Sequence, residues 1–519
     1  MTEIGLVAAY TLQLRWAGSG SARCLLIRAA LLEFHRQGAP GHRLLSRYET
    51  LTPEDLKALP VSSVAEPTSR VRNVRRTLDP SGQDPQLRHP GLTNNARCPT
   101  PPAMPQLLLT RRFLPLFLSQ SLGALNDNLF KNALVALVIF RTGEGGTALV
   151  ALAGALFILP YVLLSATAGQ LADKLDKSRL LQMTKLAEIA IMAAAAVGLL
   201  LQSVLVLLAV LFALGVQAAF FSPLKFGLLP EHLAPDEQVG GNALIEAGTF
   251  GAIITGTIAG GALVLLTHGP LIVALVGLGL AGAGAAAAFA VPAADAVSPG
   301  LAIGRNVLRE TMVLLRLARA NRPAWTCIIG LSWFWTVGAV YLTEFPSLTQ
   351  RTLGGDVRVL NLLLVMFAVG IAGGSLLAGR LLRGLLSARP VAPAALVLSV
   401  LTLAFAGLVS LPDAAGWHSP AALLSSVPGV LAVLCVLGAA GAGGVFSVPL
   451  YTMLLHRSDP ARRGSMIAAN NVVNAAFIVA GSGLVAALSA AGIGPAHTLA
   501  LAGVLNLGAA YVLWRRPPT

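Results

Sequence analysis

Residues 119–132 read SQSLGALNDNLFKN, and they sit in the middle of an apolar run from Phe113 to Phe140. As a helix that run reaches roughly 42 Å at 1.5 Å per residue, long enough to cross a bilayer with some tilt. Asp127 falls at its midpoint, beside Asn126, Asn128 and Lys131. At about 100° per residue, Gln120, Asp127 and Lys131 share one narrow stripe. A charge at the bilayer centre costs roughly 2.5–3.5 kcal/mol on insertion scales. The stripe must therefore face protein or a water-filled cavity, and the rest of the chain has to supply that surface.

Composition agrees with a membrane setting. Of 519 residues 55% are hydrophobic and 12% are charged, and the mean hydropathy is +0.73. A soluble domain carries about 25% charged residues. The net charge of +14 does not point to nucleic acid, because the basic residues lie in short loops between apolar segments, as the positive-inside rule expects. Cys24, Cys98, Cys327 and Cys435 show neither metal-ligand spacing nor a disulfide pattern.

Outward from the first run, apolar spans recur near 113–140, 147–168, 180–201, 204–229, 239–266, 270–291, 324–348, 358–379, 391–411, 428–455, 465–490 and 495–514. These predict an all-α membrane protein with twelve transmembrane helices. The expected organisation is a six-helix half over 104–291, an Arg-rich linker over 292–323 and a second half over 324–519. Arg305, Arg309, Arg316, Arg319 and Arg322 in the linker suit a surface helix that contacts lipid headgroups. With the amino terminus inside, the inner loops hold roughly 18 Lys and Arg after Met104, against about three outside: Arg141, Arg351 and Arg358. Both ends are thus expected in the cytoplasm. Residues 1–103 are rich in Arg, Pro and Ser and lack a spanning segment. Two readings stay open for them: a natural start near Met104, or a disordered cytoplasmic tail.

The halves read as repeats. The fourth span ends FFSPLKFGLLPEHLAPDE before Gly241-Asn242-Ala243, and the tenth ends VFSVPLYTMLLHRSDPAR before Ala469-Asn470-Asn471. Two repeated halves with a site at their interface is a transporter plan.

After the second span comes Gly169-Gln170-Leu171-Ala172-Asp173-Lys174-Leu175-Asp176-Lys177-Ser178-Arg179. Gly169 permits close helix approach, and Asp173 can accept hydrogen bonds from the N-terminus of a neighbouring helix. This loop resembles the signature of the major facilitator superfamily, in which a Gly, an Asp and basic residues latch the two halves. That resemblance implies a gating role for Gly169, Asp173 and Arg179. Asp176 replaces the family's second Gly, so the turn must differ. In the second half Gly379-Arg380-Leu381-Leu382-Arg383 has no acid, which predicts a one-sided latch.

Further motifs occur in order: Asn126-Asp127-Asn128; Ser222-Pro223-Leu224-Lys225-Phe226-Gly227; Asn242-Ala243-Leu244-Ile245-Glu246-Ala247; Ser332-Trp333-Phe334-Trp335 with Tyr341-Leu342-Thr343-Glu344; and Ile467-Ala468-Ala469-Asn470-Asn471. The set resembles the lysophospholipid transporter branch of that superfamily, over about residues 107–515. It is nearest the type also found fused to acyltransferase and acyl-carrier-protein synthetase domains. The resemblance implies inward movement of lysophospholipids, chiefly lysophosphatidylethanolamine, across a bacterial inner membrane for reacylation. It places the functional Asp and Lys at Asp127 and Lys225. An intramembrane Arg that some members carry in the seventh span has no counterpart here, where Glu344 stands instead.

The residues themselves support a headgroup site. A zwitterionic headgroup needs an anion for its ammonium and a cation for its phosphate. Asp127 with Glu246 or Glu344 can take the amine, Lys225 or Lys131 the phosphate, and Asn128 lies beside Asp127. Lys131 can equally serve Asp127 as a local counter-ion. Lys185 and Glu188 read as helix-locking charges, and the glycines of the fifth and tenth spans as a gap for an acyl chain or as packing sites. Neither a phosphate-cradling loop nor a His-x-x-x-x-Asp acyltransferase signature occurs, so an enzyme is not expected, and no cofactor is implied. Two rival functions remain on the sequence alone: a proton-coupled exporter of amphipathic drugs, and a non-transporting subunit that docks an acyltransferase or synthetase through the linker.

Overall fold

The computed structural model describes residues 104–142, 146–304 and 306–515. Residues 1–103, Arg305 and the Arg141 side chain, for which expectations were set, lie outside the described residues. Among the described residues twelve long helices follow one another: α1 (Leu114–Thr142), α2 (Gly146–Lys174), α3 (Lys177–Leu200), α4 (Val204–His232), α5 (Gln238–Leu263), α6 (Gly269–Phe289), α7 (Arg322–Ser347), α8 (Val357–Leu382), α9 (Val391–Val409), α10 (Val427–Arg457), α11 (Arg463–Ala490) and α12 (Pro495–Arg515). Eleven are long and apolar enough to cross a membrane by length and composition. The exception is α1, which is 29 residues long but carries the polar stripe. Several helices outrun their expected spans: α2 continues through the whole Gly169–Lys174 stretch, because polar side chains at a helix end reach water without breaking the backbone ladder.

Packing repeats across the chain. In the first half α1 packs on α5 and α6, α2 on α4, and α3 on α4 and α6. In the second, α7 packs on α11 and α12, α8 on α10, and α9 on α10 and α12. The halves meet chiefly through α2 against α11 and α5 against α8, the same pair of positions exchanged by the pseudo-twofold. Glycines set the close crossings. A Cβ on Gly256 would meet Asn128 and the Leu125 carbonyl of α1, and one on Gly444 would meet Ser375 of α8. The glycine stripes of α5 and α10 thus pack helices at these points. Gly251 and Gly261 alone in the α5 set face open space.

Between the halves runs the linker, whose helix Val307–Ala320 is capped by Asn306 and buries Leu314 and Ala318. Gln170 of α2 donates to Glu310 of that helix at 2.7 Å, and Asn321 donates to the Arg457 carbonyl at the end of α10. The linker end of the bundle is therefore tied to both halves. Leu308 and Met312 stay exposed on the linker helix, beside exposed Arg309 and Arg316, the amphipathic pattern of a helix lying at a membrane interface.

Candidate functional site

The hydrogen bonds that join the halves lie within roughly 15 Å of the linker end, at 1.5 Å per residue. Outermost is the loop latch. Asp173 is fully buried and accepts from Gly464 N at 2.7 Å, Ser465 N at 2.9 Å and Ser465 Oγ at 2.7 Å. It thereby caps the N-terminus of α11 from the opposite half, where free N–H groups and the helix dipole favour an anion. Gly169 makes the approach possible: a Cβ there would meet Ala468 Cβ at 2.6 Å and the Gly464 carbonyl at 2.7 Å. Arg179 has no part in this contact. Its side chain is exposed and reaches only Asp176, at 3.8 Å. The buried basic residue is Lys177, paired with Glu231 of α4. Asp176, in place of the family glycine, caps α3 through Ser178 N and Arg179 N, which accounts for the altered turn. In the second half the matching contact is apolar, with Val239 and Ala243 of α5 against Ala378 and Leu382 of α8.

Deeper in, the repeated Ser-Pro segments cross over. Ser222 of α4 donates to Asn471 of α11 at 3.1 Å, and Ser447 of α10 donates to Glu246 of α5. These serines stand one and two residues before the helix proline of their repeats, and each reaches the opposite half. Asn242 adds a bond to Thr452 at 3.0 Å. Lys225 and Tyr451 are equivalent: each lies two residues after the helix proline. Trp335 Nε1 donates to Tyr451 Oη at 2.9 Å. Phe226 stacks on the Tyr451 ring with centroids 4.6 Å apart, and Phe250 on Trp335 at 5.8 Å. An aromatic layer thus bridges the halves beside the charged residues.

Three of the expected charges come together. Lys225 lies in the field of both Glu246 and Asp127. Along their helices, Lys225 and Glu246 stand roughly 10–12 Å from the linker end and Asp127 roughly 20 Å. Among the described residues none of the three closes an ion pair within 4 Å. The Lys225 ammonium rests over the Phe226 ring at 4.9 Å, and Ser375 stands alongside the Glu246 carboxylate. Oδ1 of Asp127 is shielded and accepts no hydrogen bond from the described residues.

Other expected residues fall elsewhere. Asn128 turns to α5 and donates to its own helix at Ala124 O. Lys131 points at the Phe157 ring, 5.9 Å away, rather than closing on Asp127, so it is not the tight local counter-ion the spacing suggested. Glu344 sits near the far end of α7, beside Thr498 of α12 and Arg351, well away from Asp127. Its position 22 residues into α7 puts it about 33 Å from the linker end. The turn at Glu231–Glu237 is a lock: Glu237 pairs with Arg112, Glu231 with Lys177.

Sequence reasoning under-weighted one network. Lys185 and Glu188 of α3 pair at 2.7 Å, both side chains 1% exposed. Glu188 also accepts from Asn126 at 3.2 Å and Gln217 at 3.0 Å, and both charges act on Asp127. Their three-residue spacing within one span is the signal that could have placed them there. Tyr451 could have been found from its equivalence to Lys225.

A helical bundle with this repeat, a helix N-terminus capped across the halves and charges inside the spans that close no ion pair among the described residues has the plan of a two-half membrane transporter. The Major Facilitator Superfamily model matches residues 113–424, and the chain belongs to that family. It is 29% identical over 383 residues to the "Lysophospholipid transporter LplT" of Pectobacterium carotovorum, covering 72% of this chain and 85% of that protein. The protein of the same name from Salmonella typhimurium is 29% identical over 326 residues, 61% of this chain and 73% of the relative. Among solved structures, the human organic anion transporter MFSD10 superposes with a TM-score of 0.63 at 17% identity, over 78% of this chain and 99% of that one. A bacterial homologue of ferroportin in an outward-facing state gives 0.58 at 15%, over 78% and 100%. The chain is a multi-pass membrane transporter, not an enzyme.

Proposed function

We propose that this transporter moves lysophospholipids across a bacterial inner membrane, from the outer to the inner leaflet. The linker end would face the cytoplasm, as the distribution of Lys and Arg suggests. One observation carries the substrate class: Asp127, Lys225 and Glu246 bring both signs of charge to one region without pairing. Charges at membrane depth are costly unless partnered, and a zwitterionic headgroup partners both signs at once. In this reading the carboxylates receive the ammonium of lysophosphatidylethanolamine and Lys225 its phosphate. The names of the relatives support the same substrate class.

Alternating access then follows from the cross-half bonds. The Asp173 latch and the Ser222 and Ser447 bonds hold the linker end shut while the headgroup binds beside them. Release requires those bonds to part together. On the receiving side, an acyltransferase or acyl-carrier-protein synthetase would consume the product by reacylation.

The test is uptake of labelled lysophosphatidylethanolamine into vesicles, with and without a proton gradient. Asp127→Ala and Lys225→Ala should each abolish uptake while the protein still inserts. Wild-type rates in either variant would sink the headgroup assignment. Export of amphipathic cations driven by the gradient, with no lysolipid uptake, would establish the drug-exporter reading in its place.

A further inference from the structure

We infer that Asn471 of α11 reads the free glycerol hydroxyl of the lysolipid, accepting it in place of Ser222 when the halves part. This inference rests on the lysolipid reading and names the residue that tells a one-chain substrate from a two-chain lipid.

Asn471 is buried, and its amide is only half used. Oδ1 accepts from Ser222 Oγ at 3.1 Å. Nδ2 is shielded and has no partner among the described residues. A buried amide end without a partner is costly, so the site favours a ligand that can complete it. The bond to Ser222 crosses the halves, and it is lost whenever the linker end opens. Other buried amides differ. Asn474 accepts from Ser332 of its own half at 2.6 Å, and Asn506 is held inside that half by Trp333, Ala395 and Ser399. Asn242 also bonds across the halves, but α5 begins at Gln238, which puts Asn242 only about 6 Å from the linker end. Since α11 begins at Arg463, Asn471 lies about 12 Å in, the depth of Lys225 and Glu246.

Reach and hydrogen-bond type select the hydroxyl. Ser222 and Lys225 stand one turn apart on α4, neighbours on one helix face. A phosphate at Lys225 therefore brings the glycerol, a few bonds away, to the Ser222–Asn471 contact. There Asn471 Oδ1 already holds an aliphatic hydroxyl, the same group that the glycerol carries. Lysophosphatidylethanolamine donates only through its ammonium and its free hydroxyl, because phosphate and ester oxygens only accept. The carboxylates take the ammonium in the reading above, which leaves the hydroxyl for Oδ1. A diacyl lipid has an ester at that carbon and brings no such donor. Ser447 offers a parallel: its hydroxyl occupies Glu246, a group assigned to the ammonium. Each serine thus keeps a place for one substrate donor while the linker end is shut. A lysolipid supplies both donors as the cross-half bonds break, and a lipid without the hydroxyl supplies only one.

The experiment is uptake of labelled palmitoyl lysophosphatidylethanolamine by vesicles carrying the full chain, beside its 2-deoxy analogue, in which hydrogen replaces the glycerol hydroxyl. At limiting substrate the wild type should take up the hydroxyl compound at least about tenfold faster, because a site built around a hydroxyl rejects an analogue that leaves its polar groups unpaired. In Asn471→Leu, which keeps the volume and removes the hydrogen-bonding groups, the two rates should converge. Asn471→Ala is the second variant should the first fold poorly. Ser222→Ala separates reading from locking: it breaks the same cross-half bond but leaves the amide, so the preference should remain. Equal uptake of both compounds by the wild type, or an unchanged preference in folded Asn471→Leu and Asn471→Ala, would overturn the assignment and leave the transport reading intact. Loss of the preference in Ser222→Ala would overturn it as well, since Ser222 would then be the reader. If the wild type takes up no lysolipid at all, the transport reading fails and this assignment with it.

Discussion

Removing the Asp173 carboxylate should open the linker end. In Asp173→Ala, Gly464 N, Ser465 N and Ser465 Oγ lose their shared acceptor, and α11 loses an anion at its N-terminus. A hydrogen bond to a charged group contributes about 1.5–3 kcal/mol, and a charge at a helix end about 0.3–1 kcal/mol. The bonds share one carboxylate, so they do not add fully. A net loss of about 3 kcal/mol is a reasonable figure, because the freed carboxylate need no longer be desolvated. At about 1.4 kcal/mol per factor of ten, that shifts the equilibrium between latched and unlatched states roughly 150-fold. A state populated about 99:1 would then become the minority. Nitroxide labels at Leu175 and Arg462, exposed positions just outside the latch, report it by pulsed electron resonance in protein whose native cysteines are replaced. The single short distance should give way to a longer one, while thermal unfolding changes little because each half keeps its own core. An unchanged distance distribution in Asp173→Ala would refute the latch. Asp173→Asn should fall between, since it retains one acceptor oxygen but turns an N–H donor towards other donors.

Gly169→Val should prevent the α2–α11 crossing, because its side chain would overlap Ala468 and the Gly464 carbonyl; the same label pair should show the long distance with little of the short one. Lys185→Met leaves Glu188 buried without its partner, a loss of about 3–5 kcal/mol. Thermal melting in detergent should drop sharply, and the double variant Lys185→Met with Glu188→Gln should recover most of it. Ser447→Ala removes the donor to Glu246 across the halves; uptake should survive with an altered rate, whereas Glu246→Ala should abolish it.

Some of this was readable from particular residues. Asp173 and Gly169 announced the close contact between α2 and α11, because a tight crossing and a helix-capping anion need those residue types at that spacing. The paired Ser-Pro segments announced the repeat. Arg179 misled because sequence order places it next to the latch, while the first turn of α3 rotates it to solvent and brings Lys177 inward. Glu344 misled because its charge and span matched, but it lies near the wrong end of α7 for Asp127. The Lys185–Glu188 network was under-weighted since its partners, Asn126 and Gln217, sit on two other helices.

By itself the sequence determined that the chain lives in a membrane, that it spans it twelve times in two related halves, and that Asp127 needs a surface to face. Those are local properties: span length against bilayer thickness, and the cost of a charge in hydrocarbon. Only the tertiary structure decided which charges share a region with Asp127, which merely lock helices, and which polar side chains meet across the halves. Those depend on how each helix is rotated against neighbours a hundred or more residues away, and that rotation is set by glycine crossings and cross-half hydrogen bonds that no single segment contains.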